Sequence, residues 1–245
     1  MEKYKILQTE INFFSWHELL KVIENNLQNL KGKYICICSV HPTVIAYENQ
    51  YYRNVQNNAI YRLPDGMPLV YIAKKNKINS ERITGPDLMS KIFEISDKAG
   101  YTHYFYGSTN EILNSMKNNL LKIYPNLKIL GMYSPPFRKL SYKEDVDIIK
   151  EINKLNPDFV WIGLGVPKQE IWMYEHKDKI NSLMIGVGAG FDYFAGRIKR
   201  APKWMQKVCL EWLFRLIQEP RRLWKRYVIT NAKFLLYLAL TDKKY

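Results

Sequence analysis

A chain of 245 residues, 47% of them hydrophobic, is long enough to bury the core of one domain and to carry an extension. Its three cysteines, Cys36, Cys38 and Cys209, are too few for a disulfide framework, and we expect buried thiols in a reducing compartment. No stretch reaches the roughly eighteen uncharged apolar residues of a spanning helix, and no signal peptide opens the chain. These features predict a cytoplasmic protein that at most rests on a membrane.

The formal net charge of +14 is unevenly spread along the chain. Residues 197–245, called here the C-terminal segment, contain thirteen Lys or Arg and three acids, so they carry about +10 of the total. A basic segment of this kind indicates an anionic partner, which is nucleic acid, a phosphorylated substrate or an acidic membrane surface.

The first candidate site follows the first long apolar run. A short strand at Tyr4–Leu7 and a helix capped by Ser15 precede this run, Tyr34–Val40, which is typical of a central parallel strand. Ser39 and His41 stand at its carboxyl end, where polar residues of an α/β sheet contact ligands. Taken alone, His41 is explained equally well as a loop histidine.

A helical pattern over Val44–Asn54 leads to Pro64-Asp65-Gly66-Met67-Pro68. An Asp-Gly pair between prolines is typical of a turn, and Asp65 taken alone is interpreted as a turn residue. Further along, Arg82 has two interpretations, which are a surface ion pair and a donor to a sugar or diphosphate.

Strands and helices then alternate. Apolar runs at Thr102–Ser108 and Lys128–Gly131 flank a helical pattern at Asn110–Ile123, and a helix capped by Ser141 follows. This β-α-β order predicts a Rossmann-like, mostly parallel sheet with right-handed crossovers.

Two loops of this region are candidate ligand contacts. Gly107 and Ser108 would let backbone amides approach a phosphate, although a plain turn explains them equally well. Phe137 lies in a rigid, aromatic-lined loop that follows the strand at residues 128–131.

Two further apolar strands, at 159–163 and 183–187, run into glycine-rich turns. The glycines at the ends of these strands are Gly163, Gly165 and Gly188. They either permit tight turns and close helix packing or bring the backbone to a ligand, and neither turn is a complete G-x-G-x-x-G. The dinucleotide-binding signal is therefore weak.

Two polar residues follow these turns. Gln169 cannot titrate, so it is better suited to bind a sugar hydroxyl or an amide than to act as an acid. Asp192 suits two roles equally, a helix cap and an acceptor of hydrogen bonds from a ribose or uracil.

The C-terminal segment mixes large apolar and aromatic residues with basic ones at helical spacing. This pattern is typical of an interfacial helix on anionic lipid. A terminal helix packed on the core is the simpler interpretation, and part of 209–216 fits it. Nucleic acid is disfavoured because no recognised nucleic-acid module is present and the apolar residues cluster too thickly for a phosphate-tracking groove.

Taken together, the motifs of the second half form an ordered set. They are Gly-x-Gly-x-Pro-Lys-Gln-Glu from Gly163, Gly-Val-Gly-x-Gly-Phe-Asp-x-x-x-Gly from Gly186, Arg-Ala-Pro-x-Trp from Arg200 and Glu-Trp-x-x-Arg-Leu-x-x-Glu-Pro-x-Arg from Glu211. This set closely resembles the WecG/TagA/CpsF family of bacterial glycosyltransferases, glycosyltransferase family 26. The resemblance spans about Tyr34 to Tyr227. One departure is that Ser39 and His41 replace the Thr and Asn of the family's Thr-x-Asn-Pro.

The resemblance implies a fold and an activity. The fold is a Rossmann-like core at 1–196, of the GT-E type, with a basic amphipathic appendage at 197–245 that touches the membrane and completes the active site. The activity is inverting, metal-independent transfer of a sugar from UDP to a polyprenyl-diphosphate-linked sugar, in the assembly of cell-surface polysaccharide or teichoic acid. The expected sugar is an N-acetylhexosamine such as N-acetylmannosamine, and the alternative is another hexose such as glucose or galactose.

The resemblance also implies roles for individual residues. Asp65 corresponds to the family's proposed catalytic base, a role that suits a carboxylate beside apolar Leu63 and Met67. The expected sugar ligands are Ser39, His41, Arg82 and Gln169. Asp192 is the expected nucleotide contact, and Phe137 lies in the loop expected to stack a ring on the base. The other expected substrate-binding residues are Gly107, Ser108, Gly163, Gly165 and Gly188, and the expected ligands of the lipid diphosphate are Arg215, Arg221 and Arg222. Arginine suits phosphate because it offers two parallel donors.

No metal or cofactor is expected, because we find no Asp-x-Asp of the type that holds a divalent ion against a nucleotide diphosphate. Arginines, lysines and backbone amides would then balance the charge of the leaving diphosphate. The rival hypothesis is a nucleotide-binding scaffold at the inner face of the membrane without catalysis. The oligomeric state is left open, including a homo-oligomer.

Overall fold

The computed structural model describes residues 1–207 and 210–242, so Cys209 lies outside the described residues. The strands of the described residues are β1 (Glu2–Ile6), β2 (Thr9–Phe13), β3 (Tyr34–Cys38), β4 (Tyr61–Pro64), β5 (Thr102–Gly107), β6 (Lys128–Tyr133), β7 (Phe159–Gly163) and β8 (Leu183–Gly186). The helices are α1 (Trp16–Leu30), α2 (Val40–Glu48), α3 (Gln50–Asn57), α4 (Met67–Lys75), α5 (Gly85–Ala99), α6 (Asn110–Ile123), α7 (Tyr142–Leu155), α8 (Lys168–His176), α9 (Gly190–Phe194), α10 (Lys203–Lys207), α11 (Glu211–Gln218) and α12 (Pro220–Asp242).

Six strands form one sheet in the order β4-β3-β8-β7-β5-β6, and every neighbouring pair is parallel. Helices connect successive strands and cover the sheet, which confirms the predicted α/β class with a parallel sheet. The carboxyl ends of all six strands therefore meet at one edge, where an open α/β sheet binds its ligands.

The core lies on both faces of the sheet, because alternate residues of each strand point to opposite sides. On one face Ile35 and Ile37 of β3 pack with Trp161 and Phe93. The residues of β3 that point to the other face are Tyr34, Cys36 and Cys38, and they pack with Tyr106 and Trp172. Cys36 and Cys38 are buried free thiols, as predicted.

Local sequence signals fix several helix ends as predicted. The hydroxyls of Ser15 and Ser141 each accept a hydrogen bond from the backbone amide three residues on, while the carboxylates of Glu18 and Glu144 accept one from the amide of the capping serine. The helix predicted at Asn110–Ile123 has those bounds, and the hydroxyl of Thr109 caps it.

Three elements differ from the prediction. The helical pattern at 44–54 is two helices, α2 and α3, divided at Asn49, whose side chain accepts from the Tyr52 amide and caps α3. The strands β2 and β4 were not predicted, since each is at most five residues long and β4 ends in Pro64. Proline is tolerated there because β4 is an edge strand.

A hairpin of β1 and β2 covers that edge strand. Asn12 of β2 accepts a hydrogen bond from the Arg62 amide at 2.8 Å, and the buried guanidinium of Arg62 donates to the carbonyl of Glu10. The carboxylate of Glu10 lies 3.3 Å from the same guanidinium.

The described part of the C-terminal segment, 197–207 and 210–242, forms α10 to α12, so the predicted C-terminal helix is present. The helix α12 packs along α2: Glu48 accepts hydrogen bonds from Lys233 at 2.7 Å and Tyr237 at 2.6 Å. Two side chains of α12 itself, Leu223 and Phe234, are buried. Within the described ranges, none of the helices combines the length and apolar character needed to cross a bilayer.

Candidate active site

The candidate site lies at the carboxyl edge of the sheet, where β4 and β3 end side by side. The amide of Asp65 donates to the carbonyl of Cys38 at 2.7 Å. A Cβ added to Gly66 would lie 3.3 Å from the Cα of Ser39, so the Asp-Gly turn packs directly on the end of β3. The structure therefore brings Asp65 and Ser39 together.

Asp65 is held by Arg82. The guanidinium donates to Oδ1 of Asp65 at 2.9 Å and also to its backbone carbonyl. Burial raises the pKa of the Asp65 carboxyl above its ordinary value, and this effect exceeds the lowering by the Arg82 cation. The side chain still exposes 31% of its surface, so a substrate can reach it. The ion pair of Arg82 with Asp65 lies inside the candidate site. This geometry is therefore compatible with Arg82 as an ion-pair partner and with Arg82 as a donor to a sugar or diphosphate.

Three charged side chains to which the sequence assigned no role in the site complete this cluster. Glu211 accepts from Arg82 at 2.6 Å, and its other oxygen lies 3.8 Å from Nε of Arg200. Arg200 in turn donates to both carboxylate oxygens of Asp87, at 2.9 and 3.1 Å. The signal in the sequence was the Glu-Trp-x-x-Arg motif, which begins at Glu211.

His41 is the second residue of α2, so it is not the loop histidine of the alternative interpretation, and its ring lies under the C-terminal segment. Its Nδ1 is 3.4 Å from the hydroxyl of Thr230 on α12. Burial, helped by the nearby charge of Arg226, lowers the pKa of His41 to about 4, so the ring is neutral near pH 7. The ring therefore packs between the core and α12, and its role as a sugar ligand stays a prediction.

The glycine turns form the middle of the edge. Gly107 has φ of +124°, and a Cβ there would lie 2.7 Å from the backbone of Gly163, so β5 and β7 approach too closely for any side chain. Ser108 also has positive φ, and its carbonyl accepts from the hydroxyl of Ser134 at 2.8 Å. The structure thus places Gly107, Ser108 and Gly163 together.

Gln169 joins two of these turns. Its side-chain oxygen accepts from the amide of Gly165 at 3.2 Å and from the amide of Gly188 at 2.9 Å. Its nitrogen donates to buried Glu170 at 2.8 Å, and burial raises the pKa of Glu170 to about 7. Gln169 is thus a structural link between the turns in this state, which the sequence did not predict, and direct contact with a sugar stays a prediction.

Asp192 and Tyr193 follow the last turn, on α9. Burial raises the pKa of Asp192, whose Oδ1 lies 3.7 Å from Arg197. Tyr193 accepts a hydrogen bond from Arg215 at 2.9 Å, and the guanidinium groups of Arg215 and Arg200 lie 5.3 and 5.5 Å from the centre of its ring. Tyr193 therefore joins α9 to Arg200 and Arg215, a contact that the sequence did not reveal.

The predicted diphosphate ligands lie on α11 and α12. Glu219 accepts from Arg215 at 2.9 Å and from Arg222 at 2.5 Å, so one carboxylate holds both guanidinium groups. Arg221 is exposed on the same turn of chain. The structure therefore gathers Arg215 and Arg222 near α9, and their binding of a diphosphate stays a prediction.

Phe137 is not brought to Asp65. It follows β6, which is the strand at the opposite edge of the sheet from β4, and 96% of its surface is exposed. A ring in that position has no packing role in the fold. The predicted stacking on a nucleotide base remains a prediction for the β5–β6 end of the site.

Among the described residues, no group of three or more His, Cys, Asp or Glu side chains is placed to hold a metal ion. One Asp-x-Asp, Asp145-Val146-Asp147, lies within the helix α7, and Asp145 pairs with His176 at 2.9 Å. The cationic side chain that contacts Asp65 is Arg82. The site offers a carboxylate of raised pKa, backbone amides at glycine turns, and guanidinium groups, which together can accept a proton and hold an anion.

Comparisons with known proteins agree with this chemistry. The profile of the family described as "Glycosyl transferase WecG/TagA/CpsF family" matches residues 4–245. An N-acetylglucosaminyldiphosphoundecaprenol N-acetyl-beta-D-mannosaminyltransferase of Bacillus subtilis (strain 168) is 32% identical over 213 residues, covering 84% of this chain and 80% of the relative.

Relatives that carry the same name show similar coverage. The protein of Bacillus spizizenii (strain ATCC 23059 / NRRL B-14472 / W23) is 28% identical over 222 residues, 90% of this chain and 82% of its own. The protein of Staphylococcus aureus (strain MW2) is 28% identical over 228 residues, 91% of this chain and 86% of its own.

Proposed function

The chain belongs to the WecG/TagA/CpsF family of glycosyl transferases, and from this premise we propose that it transfers N-acetylmannosamine from a UDP-sugar to a polyprenyl-diphosphate-linked N-acetylglucosamine. The names of the relatives support both the transferred sugar and the acceptor. The product would serve cell-surface polysaccharide or teichoic-acid assembly. The proposed division is a core at 1–196 and an appendage at 197–245, bound peripherally to the inner face of the membrane.

The proposed chemistry is a single inverting displacement. A hydroxyl oxygen of the acceptor attacks the anomeric carbon, and the bond from that carbon to the diphosphate oxygen breaks, with its electron pair leaving on UDP. The hydroxyl proton passes to the carboxylate of Asp65. The observation that carries this proposal is the placement of Asp65, since a partly open carboxylate of raised pKa stands at the carboxyl edge beside an arginine.

The diphosphates would be held by arginines and backbone amides without a metal ion. Two features support this part of the proposal. The turn at Gly107 and Ser108 has positive φ at the carboxyl edge, a conformation that can turn backbone amides toward an anion. The arginines Arg215 and Arg222 are already gathered there by one carboxylate, which occupies a position suited to an anion.

The identity of the donor sugar is the most specific part of the proposal. Ser39 lies beside Asp65, whereas His41 packs under α12, so the two replaced positions meet different surroundings. A screen of UDP-sugars against a short-chain polyprenyl-diphosphate-N-acetylglucosamine acceptor, read by mass spectrometry, tests the donor. Transfer of glucose or galactose in preference to N-acetylmannosamine would support the alternative donor.

The substitution Asp65→Asn tests the catalytic role. We expect turnover to fall by about 10²–10⁴-fold, because the variant cannot take the hydroxyl proton, while UDP binding measured by calorimetry stays within a few-fold. Glu94→Gln, which removes one exposed carboxylate from α5, is the matched control and should keep full turnover. A scaffold protein would have no transferase activity for Asp65→Asn to reduce.

A further inference from the structure

Glu211 connects the C-terminal segment to the candidate base. It stands in the first turn of α11, 129 positions along the chain from Arg82, and its side chain is only 13% exposed. One oxygen accepts from Nη1 of Arg82 at 2.6 Å, while Nη2 of the same guanidinium donates to Asp65 at 2.9 Å. Glu211 and Asp65 therefore share one arginine.

Sharing matters because an arginine bound to a single carboxylate makes that carboxylate a poor base. The cation stabilises the charged form and so opposes proton uptake. A second carboxylate on the same guanidinium offsets part of that effect, and it also fixes the orientation of Arg82. The third nitrogen of the guanidinium, Nε, donates to the backbone carbonyl of Asp65, so all three nitrogens of Arg82 have an acceptor.

The charges around Asp65 come from four places along the chain. They are Arg82 before α5, Asp87 in α5, Arg200 in the loop before α10, and Glu211 in α11. Arg200 pairs with Asp87 and lies near Glu211, so it is partly neutralised by both. With Asp65 included, three acids face two arginines, and proton uptake at Asp65 removes the excess negative charge.

We propose that Glu211 is a positioning residue for transfer, which holds Arg82 in place and keeps Asp65 able to accept a proton only when the C-terminal segment is docked. This inference rests on the proposed role of Asp65 as the base. It makes α11 a part of the acid–base machinery, in addition to any contact that the C-terminal segment makes with the lipid-linked substrate.

The substitution Glu211→Gln tests the proposal by two readouts. The pH dependence of kcat reports the acid limb of the reaction, and carbon-13 NMR of labelled aspartate carboxyls follows Asp65 directly, with its signal assigned by Asp65→Asn. We expect the titration midpoint of Asp65 to move to lower pH, because a neighbouring negative charge is lost and Arg82 turns fully to Asp65. We expect kcat to fall by about 10- to 100-fold with a smaller change in KM for the UDP-sugar.

Two further variants separate this role from simple docking of the segment. Glu211→Asp keeps the charge, so the Asp65 midpoint should stay close to that of the unchanged protein while kcat falls, because the shorter side chain displaces Arg82. Arg200→Gln removes the pair with Asp87 but leaves Glu211, whose charge is then less compensated, so the midpoint should rise or stay. If the substitutions acted only by undocking the C-terminal segment, Asp65 would become exposed. Its titration midpoint would then fall in both Glu211→Gln and Arg200→Gln.

The proposal is overturned if the Glu211→Gln midpoint is unchanged or rises, or if Arg200→Gln lowers it equally. Failure of the proposed function would look different: Asp65→Asn would keep its turnover, or no UDP-sugar would be transferred at all. The NMR midpoints decide the role of Glu211 in either case, since they do not need turnover.

Discussion

At the scale of single residues, the buried acid Glu170 is the least expected feature. It is fully buried on α8, accepts one hydrogen bond from Gln169, and its Oε2 has no hydrogen-bond partner among the described residues. Burial is the main reason that its pKa rises to about 7, and the hydrogen bond from Gln169 opposes the rise only in part. The carboxyl is thus protonated in mildly acidic solution.

This pKa predicts how stability depends on pH. Because the folded value lies above the ordinary 4.5, the contribution of Glu170 is fully present below pH 4.5 and is lost as pH rises through 7. Glu170→Gln should therefore raise the free energy of unfolding at about pH 8, by up to about 3 kcal/mol, and leave it unchanged near pH 4.5.

Urea denaturation at the two pH values measures this effect. Glu175→Gln is the control, since Glu175 is an exposed carboxylate on the same helix and should change the unfolding free energy at neither pH. An equal gain at both pH values for Glu170→Gln would show that Glu170 is not the group that titrates.

At the scale of elements, the glycine turns at the ends of β5 and β7 differ in what they require. Gly107 combines positive φ with a backbone neighbour 2.7 Å from where a Cβ would stand, whereas Gly165 has φ of +77° and no atom within 4 Å of that position. We predict that Gly165→Ala costs about 1–2 kcal/mol, from backbone strain alone. Gly107→Ala should cost at least about 3 kcal/mol, since strain and a backbone clash add.

Thermal or urea unfolding of the two variants measures the difference. The pair is matched, because each changes one glycine of positive φ at the same edge of the sheet. Equal losses of stability would mean that β5 and β7 can separate without cost at this point, and the close approach would then have no structural importance.

Elements with strong local sequence signals, such as a cap and regular apolar spacing, were predictable, and elements without them were not. The bounds of α6 were predictable because Thr109 supplies a cap and the apolar spacing is regular. The strand β4 was not, since four residues ending in Pro64 carry too little pattern. In the site, Asp65 was predicted through a motif. Its indirect link to Glu211 was not, because Arg82 and Glu211 stand 129 positions apart and meet only in the folded chain.

At the scale of the whole molecule, α12 presents both a buried and an exposed apolar surface. Phe234 is buried against α2, while large side chains on its outer surface are exposed. The exposed ones are Trp224, Val228, Ile229, Leu235, Leu236 and Leu240. An apolar outer surface beside basic residues is typical of a helix that lies on anionic lipid.

Replacing Val228, Leu235 and Leu236 by Gln should abolish most membrane binding. We expect the fraction that floats with anionic vesicles to fall by about 10-fold or more, because each apolar side chain contributes about 1.5–3 kcal/mol when buried in lipid. Ile123→Gln, on the exposed surface of α6, should float as the unchanged protein does. Unaltered flotation of the triple variant would contradict the assignment of α12 to the membrane.

The hairpin that covers β4 has a consequence for how the chain tolerates changes at its ends. Deleting the first thirteen residues would expose the edge strand β4 and would remove Glu10, whose carbonyl and carboxylate both contact the buried guanidinium of Arg62. An exposed edge strand can pair with strands of other molecules, so the shortened chain should aggregate. Residues added ahead of Met1, whose side chain is exposed, would disturb neither the hairpin nor the contacts of Arg62.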